Sequence, residues 1–307
     1  MSSPRHLRSL LDLEPGDLSA ILTRAEEMKR LRGTPEHGRP LEGKSVAILL
    51  EKASTRTRVS FEVGIHELGA LPVTLIAKDT QLGRGEPLSD TARMFSGYVH
   101  AVVYRTFGHE RIEELAADSR IPVINGLSAL YHPCQLLADL LTLKQEFGEL
   151  DGLSVAWVGD GNNMAHSWML AAGLTGLDLR LACPEGYRPE PSVLAQAEAL
   201  GRGSITITTD PQQACEGVDV VTTDVWASMG QEEEAKKRMQ AFAGYEVDDA
   251  LMARAAERAI FLHCLPAHRG EEVAASVIDG ERSRVWREAE NRLHAQKALL
   301  EWLLRES

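Results

Sequence analysis

The chain has little that would take it out of the aqueous interior of a cell. No apolar run approaches the roughly 20 residues needed to cross a bilayer, and the opening MSSPRHLRSL lacks a signal-peptide core. A cytoplasmic protein with no membrane partner is the expectation. Cysteine is scarce. Cys134, Cys183, Cys215 and Cys264 are widely spaced and form no C-x-x-C pair, which argues against a disulfide framework or a cysteine-rich zinc site. Positive charge is also short, with 33 Lys and Arg against 45 Asp and Glu and a net charge of −12. That field disfavours nucleic acid as a partner. An anionic small molecule would need a local basic cluster to overcome it. Internal repeats, low-complexity tracts and flexible linkers are missing as well.

What is present is an alternation of short β-branched runs with helical patterns. At 307 residues the chain exceeds one compact core, so two domains are expected. Strand candidates are Ser45–Leu50, Pro72–Ile76, Ala101–Arg105, Pro122–Ile124, Ser154–Val158, Leu179–Ala182, Val218–Thr222 and Ala259–His263. Most are apolar throughout, as strands buried on both faces of a parallel sheet should be. Amphipathic stretches such as Cys134–Phe147, Pro191–Leu200 and Gln231–Phe242 lie between them. This βαβα order predicts an α/β protein of two domains, each a mostly parallel sheet covered by helices and joined by interdomain helices. The expected boundaries are 1–132 and 133–284, with a final helix over about 285–307 packing back onto the first domain. A cleft between two such domains is a common place for a small-molecule site.

Polar clusters sit where strands end, which is where open α/β sheets bind ligands. Ser54-Thr55-Arg56-Thr57-Arg58 follows the first strand and opens a helix. Three hydroxyls and two guanidiniums at a helix N-terminus can cradle a phosphate, although a capped helix with solvated arginines would read the same. Arg105 ends the third strand. His132 and Gln135 straddle Pro133, which can start a helix; both can donate hydrogen bonds, or simply cap and fill. Gly159-Asp160-Gly161-Asn162-Asn163 follows the fifth strand, but a dinucleotide loop would need glycine where Met164 stands. The asparagines read better as a substrate-orienting turn. Asp224, in Asp224-Val225-Trp226-Ala227-Ser228-Met229-Gly230, could hold an ammonium group or cap a helix. Last comes His263-Cys264-Leu265-Pro266, with His268 nearby. A metal would use His263, Cys264 and His268, but no other segment supplies convincing partner ligands. A thiol there could instead titrate at a reacting amine.

Taken together and in this order, S-T-R-T-R, H-P-C-Q, G-D-G-N-N, D-V-W-A-S-M-G and H-C-L-P, with Glu290-Asn291-Arg292 near the end, resemble the aspartate/ornithine carbamoyltransferase family, its ornithine branch in particular. The resemblance spans about Leu10 to Leu304. It implies a carbamoyl phosphate-binding first domain and an ornithine-binding second domain. Ser54, Thr55, Arg56, Thr57 and Arg105 would bind the phosphate, and His132 and Gln135 the carbamoyl end. Asn163, Asp224, Ser228 and Met229 would receive ornithine. Cys264 and Leu265 would lie at the reacting end, with Arg292 reaching in from the final helix. Arg105, His132 and Cys264 would be catalytic. Gln81, in a loop with Gly83 and Gly85, resembles the residue that family trimers insert into a neighbouring subunit's site, so a homotrimer is implied.

The resemblance further implies transfer of a carbamoyl group from carbamoyl phosphate to L-ornithine, giving citrulline in arginine metabolism, with biosynthesis as the expected direction. No metal or organic cofactor is expected. Within the family, Gln81–Glu86 lacks the lysine expected for an aspartate acceptor, and Asp224 would repel a dicarboxylate. N-acetylornithine and putrescine are the other amine alternatives. A non-catalytic relative that binds carbamoyl phosphate is the alternative from another class.

Overall fold

The computed structural model describes residues 4–227 and 235–305. They divide into two compact units. The first is built from the chain up to Leu141 and the segment from Glu290 onward, the second from Thr142–Ala289.

In the first unit, β1 (Ser45–Leu50), β2 (Leu71–Ile76), β3 (Ala101–Arg105) and β4 (Val123–Leu127) form one parallel sheet in the order β2-β1-β3-β4. The central strands are apolar because both faces are covered: Val46, Ala47, Ile48, Val102 and Val103 are all buried. The edge strand β2 is only half-buried along its length. Helices α1 (Pro15–Leu31), α2 (Thr55–Glu67), α3 (Leu88–Tyr98) and α4 (Glu110–Asp118) belong to this unit.

Helix α5 (Pro133–Phe147) begins at the expected proline. The division between units falls inside it, rather than ahead of it as the sequence suggested. Its first turns are tied to the first unit, where Cys134 Sγ donates to the Asn125 carbonyl at 3.4 Å.

The second unit carries β5 (Ser154–Val158), β6 (Asp178–Ala182), β7 (Ser204–Thr208), β8 (Val220–Thr223) and β9 (Ile260–His263), parallel in the order β7-β6-β5-β8-β9. Its helices are α6 (Asn163–Thr175), α7 (Pro191–Leu200), α8 (Pro211–Cys215), α9 (Ala235–Ala241), α10 (Asp249–Met252) and α11 (Ala275–Ile278). Ala156, Val158, Trp226, Phe242 and Phe261 share its apolar core. The last helix, α12 (Val285–Arg305), starts in this unit and continues in the first. There Glu301 pairs with Arg24 at 2.9 Å, Glu290 with Lys29 at 2.9 Å and Lys297 with Glu67 at 2.7 Å.

In both sheets the strand order reverses once: between β1 and β3 in the first, and between β5 and β8 in the second. Loops that leave such a reversal in opposite directions open a crevice at the carboxyl ends of the strands. The motif-bearing segments after β1, β3, β5 and β8 are those loops.

Candidate functional site

The first unit builds a cationic half-site around Thr57. Ser54 caps α2, its Oγ accepting from Thr57 N at 3.2 Å, and its hydroxyl also meets Thr57 Oγ1 at 2.9 Å. Thr57 is fully buried. Its Oγ1 accepts from Arg105 Nη1 at 3.3 Å and from Arg292 Nη2 at 3.3 Å. Two guanidiniums from β3 and α12 thus converge at a helix N-terminus whose first N–H groups point outward. The side chain of Arg56, exposed on α2, has no hydrogen-bond or ion-pair partner among the described residues, whereas Arg58 pairs with Glu62 at 2.9 Å. The expected cradle is therefore present, but Arg58 belongs to the outer face of the helix.

His132 and Gln135 join the same cluster. Arg292 Nη1 donates to Gln135 Oε1, and Gln135 Nε2 donates to Asp139 Oδ1 at 2.8 Å. His132 Nε2 lies 3.5 Å from Arg292 Nη1. Burial, then the charges of Arg292 and Arg105, push His132 well below the ordinary histidine range. Its ring is neutral at pH 7. The nitrogen facing Arg292 must then be the acceptor, leaving Nδ1 to carry the proton. Such a ring donates a hydrogen bond without adding a third charge.

The second unit builds a half-site of opposite character around Asp224. This buried carboxylate accepts from Asn162 Nδ2 at 3.1 Å, from Val225 N at 2.8 Å and from Cys264 Sγ at 3.2 Å. Asn162, not Asn163, caps α6, its Oδ1 accepting from Met164 N at 2.9 Å and Ala165 N at 3.3 Å. One side chain therefore both starts the helix and orients Asp224. Asn163 is the first helical residue, and its carbonyl accepts from Ser167 Oγ at 2.7 Å. Gly161 is glycine because a Cβ there would overlap the backbone of Arg188 and Pro189. Gly161 thus serves this chain crossing, and Gly159 a turn at φ 140°.

Cys264 precedes Leu265, which sits at φ 58° before a cis peptide bond to Pro266. A leucine in the left-handed region costs on the order of 1–3 kcal/mol and persists only when its neighbours enforce it. His263 does so. Its Nδ1 accepts from Leu265 N at 2.9 Å, so its proton is on Nε2, which faces Glu272 Oε1 at 3.1 Å; Glu272 Oε1 also accepts from His268 N at 2.6 Å. The backbone N–H of His263 is held by Glu288 Oε2 at 2.9 Å. Cys264 is thus aimed by a buried His–Glu pair and stands as donor to Asp224.

Residues 5–145 match the carbamoyl-P binding domain of the aspartate/ornithine carbamoyltransferases, and residues 151–303 match their Asp/Orn binding domain. The chain is 54% identical to the ornithine carbamoyltransferase of Geobacter metallireducens and 54% identical to that of Halorhodospira halophila. Each alignment covers 98% of this chain and 99% of the relative. The solved ornithine carbamoyltransferase of Pyrococcus furiosus superposes with a TM-score of 0.94 at 46% identity, over 99% of this chain and 98% of that one. The chain belongs to the aspartate/ornithine carbamoyltransferase family.

Within that family frame, Thr57, Arg105, His132, Gln135 and Arg292 form one bonded cluster, and Asp224 and Cys264 another. Ser54 supports the first as a cap. Thr55 and Arg56 lie exposed at its edge. Gln81 is exposed in its loop, where Gly83 leaves no room for a Cβ against Ala77 and Lys78. Ser228 and Met229 lie outside the described residues.

Sequence reasoning missed Asp139, Glu272 and the Asp160–Arg238 pair, which closes at 2.6 Å while Arg238 also donates to the Trp226 carbonyl at 2.8 Å, and it gave Asn162 and His263 other roles. Asn162 had a signal, since an asparagine two residues ahead of an apolar helix is a cap. Single charged residues such as Asp160 and Arg238 carry none.

Two clusters among the described residues have metal-ligand chemistry: Asp224, His263 and Cys264, and His268, Glu271 and Glu272. In the first, His263 Nδ1 already accepts the Leu265 N–H and Nε2 faces Glu272, so binding a metal would break the support of the Cys264 turn. In the second, His268 is exposed, and the Glu272 oxygen facing it is committed to His263 and His268.

Proposed function

We propose that the chain transfers the carbamoyl group of carbamoyl phosphate to the δ-amine of L-ornithine, forming L-citrulline and phosphate. The observation that carries this reading is the convergence of Arg105 and Arg292 on Thr57 at the start of α2. A protein of net charge −12 has gathered cations there, and a phosphoryl group satisfies them. Ser54, Thr55, Arg56, Thr57 and Arg105 take the phosphate. His132, Gln135 and Arg292 take the carbamoyl end, and Leu265 borders it. Asp224 receives an ammonium of ornithine, with Asn163, Ser228 and Met229 completing that side.

The reaction needs a neutral amine. With a lysine-like pKa near 10.4, deprotonating the δ-ammonium costs about 4–5 kcal/mol at pH 7. Since the Cys264 thiol donates to Asp224, the acceptor of the pair is the carboxylate. Asp224 is the better placed group to draw a proton from the amine side, with Cys264 as the relay beside it. The amine lone pair then attacks the carbamoyl carbon and the new C–N bond leaves a tetrahedral oxyanion. Arg105 and the neutral His132 stabilise that oxygen. Collapse breaks the C–O bond to phosphate, which takes the second proton of the attacking nitrogen as it leaves and whose charge the cradle already balances. Neither a metal nor an organic cofactor is called for.

The active assembly in this reading is a homotrimer, with Gln81 inserted into a neighbour's site. Support comes from the exposed Gln81, the half-buried edge strand β2 with its exposed Leu71, and exposed Val59 on α2. The cytoplasm is the proposed compartment, in keeping with four free cysteines; none of the helices described is long and apolar enough to cross a membrane. Arginine biosynthesis is the proposed context. A panel of amine acceptors tests the function: ornithine should be carbamoylated, and aspartate, putrescine or N-acetylornithine as preferred acceptor would refute the assignment.

A further inference from the structure

Arg105 lies where regular strand geometry gives out. The pairing of β3 with β4 is regular up to Tyr104↔Asn125 and then slips, so that Arg105 faces Leu127. The extra residue, Gly126, lies on β4, so the irregularity loosens the β4 side of Arg105 while β3 itself stays in register with β1. On the other side, Glu51 continues the ladder past β1, its N–H donating to the Arg105 carbonyl at 2.9 Å.

The Glu51 side chain does more than extend the ladder. Its Oε1 accepts from Tyr104 OH at 2.8 Å and from Arg111 Nη2 at 2.6 Å, and its Oε2 accepts from Thr106 Oγ1. Arg111 Nε in turn donates to Tyr104 OH at 3.1 Å, closing a triangle. Tyr104 and Thr106 flank Arg105 and are both fully buried. Alternation along a strand sends neighbours at i−1 and i+1 to one face and residue i to the other. Binding 104 and 106 to one carboxylate therefore forces Arg105 to the opposite face, where it meets Thr57.

We infer that Glu51 is a positioning residue for carbamoyl phosphate: by holding Tyr104, Thr106 and Arg111 together, its carboxylate sets the direction in which Arg105 leaves the end of β3. The inference rests on the proposed role of Arg105 as a phosphate ligand. Tyr104 stays a neutral donor in this arrangement, its phenol pushed up to about 12, chiefly by burial. Glu51 acts through Arg105, its own carboxylate being bonded to Tyr104, Thr106 and Arg111.

The test is steady-state kinetics on four variants: Glu51→Gln, Thr106→Val, Thr106→Ser and Arg105→Ala, with thermal unfolding of each. Glu51→Gln should raise KM for carbamoyl phosphate by about tenfold or more and leave KM for ornithine within about twofold, the scale of losing charge-assisted hydrogen bonds. Thr106→Val should reproduce the split, and Thr106→Ser, which keeps the hydroxyl, should restore near-normal binding. An unchanged carbamoyl phosphate KM in Glu51→Gln, or equal damage from the serine and valine variants, overturns the inference. If Glu51→Gln does not fold, the two Thr106 variants decide alone. Loss of binding in Arg105→Ala with normal Glu51→Gln refutes only the positioning role, whereas normal binding in Arg105→Ala removes the phosphate reading itself.

Discussion

The two half-sites occupy equivalent places in their sheets and carry opposite charge. Around Thr57, cations from β3 and α12 converge on a hydroxyl beside a neutral histidine. Around Asp224, a carboxylate gathers an amide, a backbone N–H and a thiol. Each stands at the carboxyl ends of the strands where the order reverses. In each unit the sheet supplies the strand ends, and a few side chains set the charge that stands there. The halves also differ in how they are held. The first is fastened by side chains from α2, β3, α5 and α12, while the second hangs on turns after β5, β8 and β9.

Four measurements would break or sharpen this comparison. The largest effect belongs to the cationic half: Arg105→Ala should lower kcat/KM for carbamoyl phosphate by about 10³-fold, near 4 kcal/mol, with ornithine KM little changed. A change confined to ornithine KM would reverse the assignment of the halves.

Next comes acid stability. His294, fully buried on α12, makes no hydrogen bond through either ring nitrogen, with Glu290 Oε1 3.9 Å away. Burial, then the positive charge of Lys297 and Lys29, lowers its pKa to about 4. An unfolded histidine titrates near 6.5, so on acidification the unfolded chain takes up the proton first. Stability present at pH 7 is lost as pH falls from about 6.5 to about 4, by up to about 3 kcal/mol for this residue. Burial also lowers His6 and His109 in the same unit, whereas His263 in the second unit has a partner at each ring nitrogen. Hydrogen exchange at pH 4.5 should open α1 and the later turns of α12 before β9. Simultaneous opening would contradict this contrast.

The anionic half gives a smaller loss. Asp224→Ala should lower kcat/KM for ornithine by about 30- to 100-fold, some 2–3 kcal/mol, through weaker binding and the lost proton acceptor together, and leave carbamoyl phosphate binding within a factor of about three by calorimetry. Equal losses for both substrates would mean that Asp224 serves folding rather than recognition. Smallest of the four, Cys264→Ser should lower kcat by about tenfold with little change in carbamoyl phosphate affinity, because a hydroxyl keeps the bond to Asp224 but is a poorer relay than a thiol. Parallel losses in rate and affinity would remove the chemical role.

Much of this architecture was legible in the residues. Apolar runs marked β1, β3 and β5 at the positions observed, and the ends of the others differ by one to three residues. β7 was missed: Ser204-Ile205-Thr206-Ile207-Thr208 is a half-exposed edge strand, too polar to read as a buried run. Pro133 marked the start of α5 because its missing N–H costs nothing there. The cradle showed itself as a dense local motif. The Glu51 clamp, the Gln135–Asp139 bond and the His263–Glu272 support did not, since each joins residues whose meeting depends on strand register or turn shape. Asn162 and Asn163 illustrate the limit within a motif: both are asparagines, and only the helix start shows which of them faces Asp224.

The proposed function is carbamoyl transfer to ornithine. Carbamoyl phosphate labelled with ¹³C at the carbonyl, incubated with ornithine and the purified protein and followed by NMR, tests it most directly. The account predicts that the label appears in the ureido carbon of citrulline as phosphate is released in equal amount. Label recovered only as bicarbonate or cyanate, with ornithine unchanged, would contradict it.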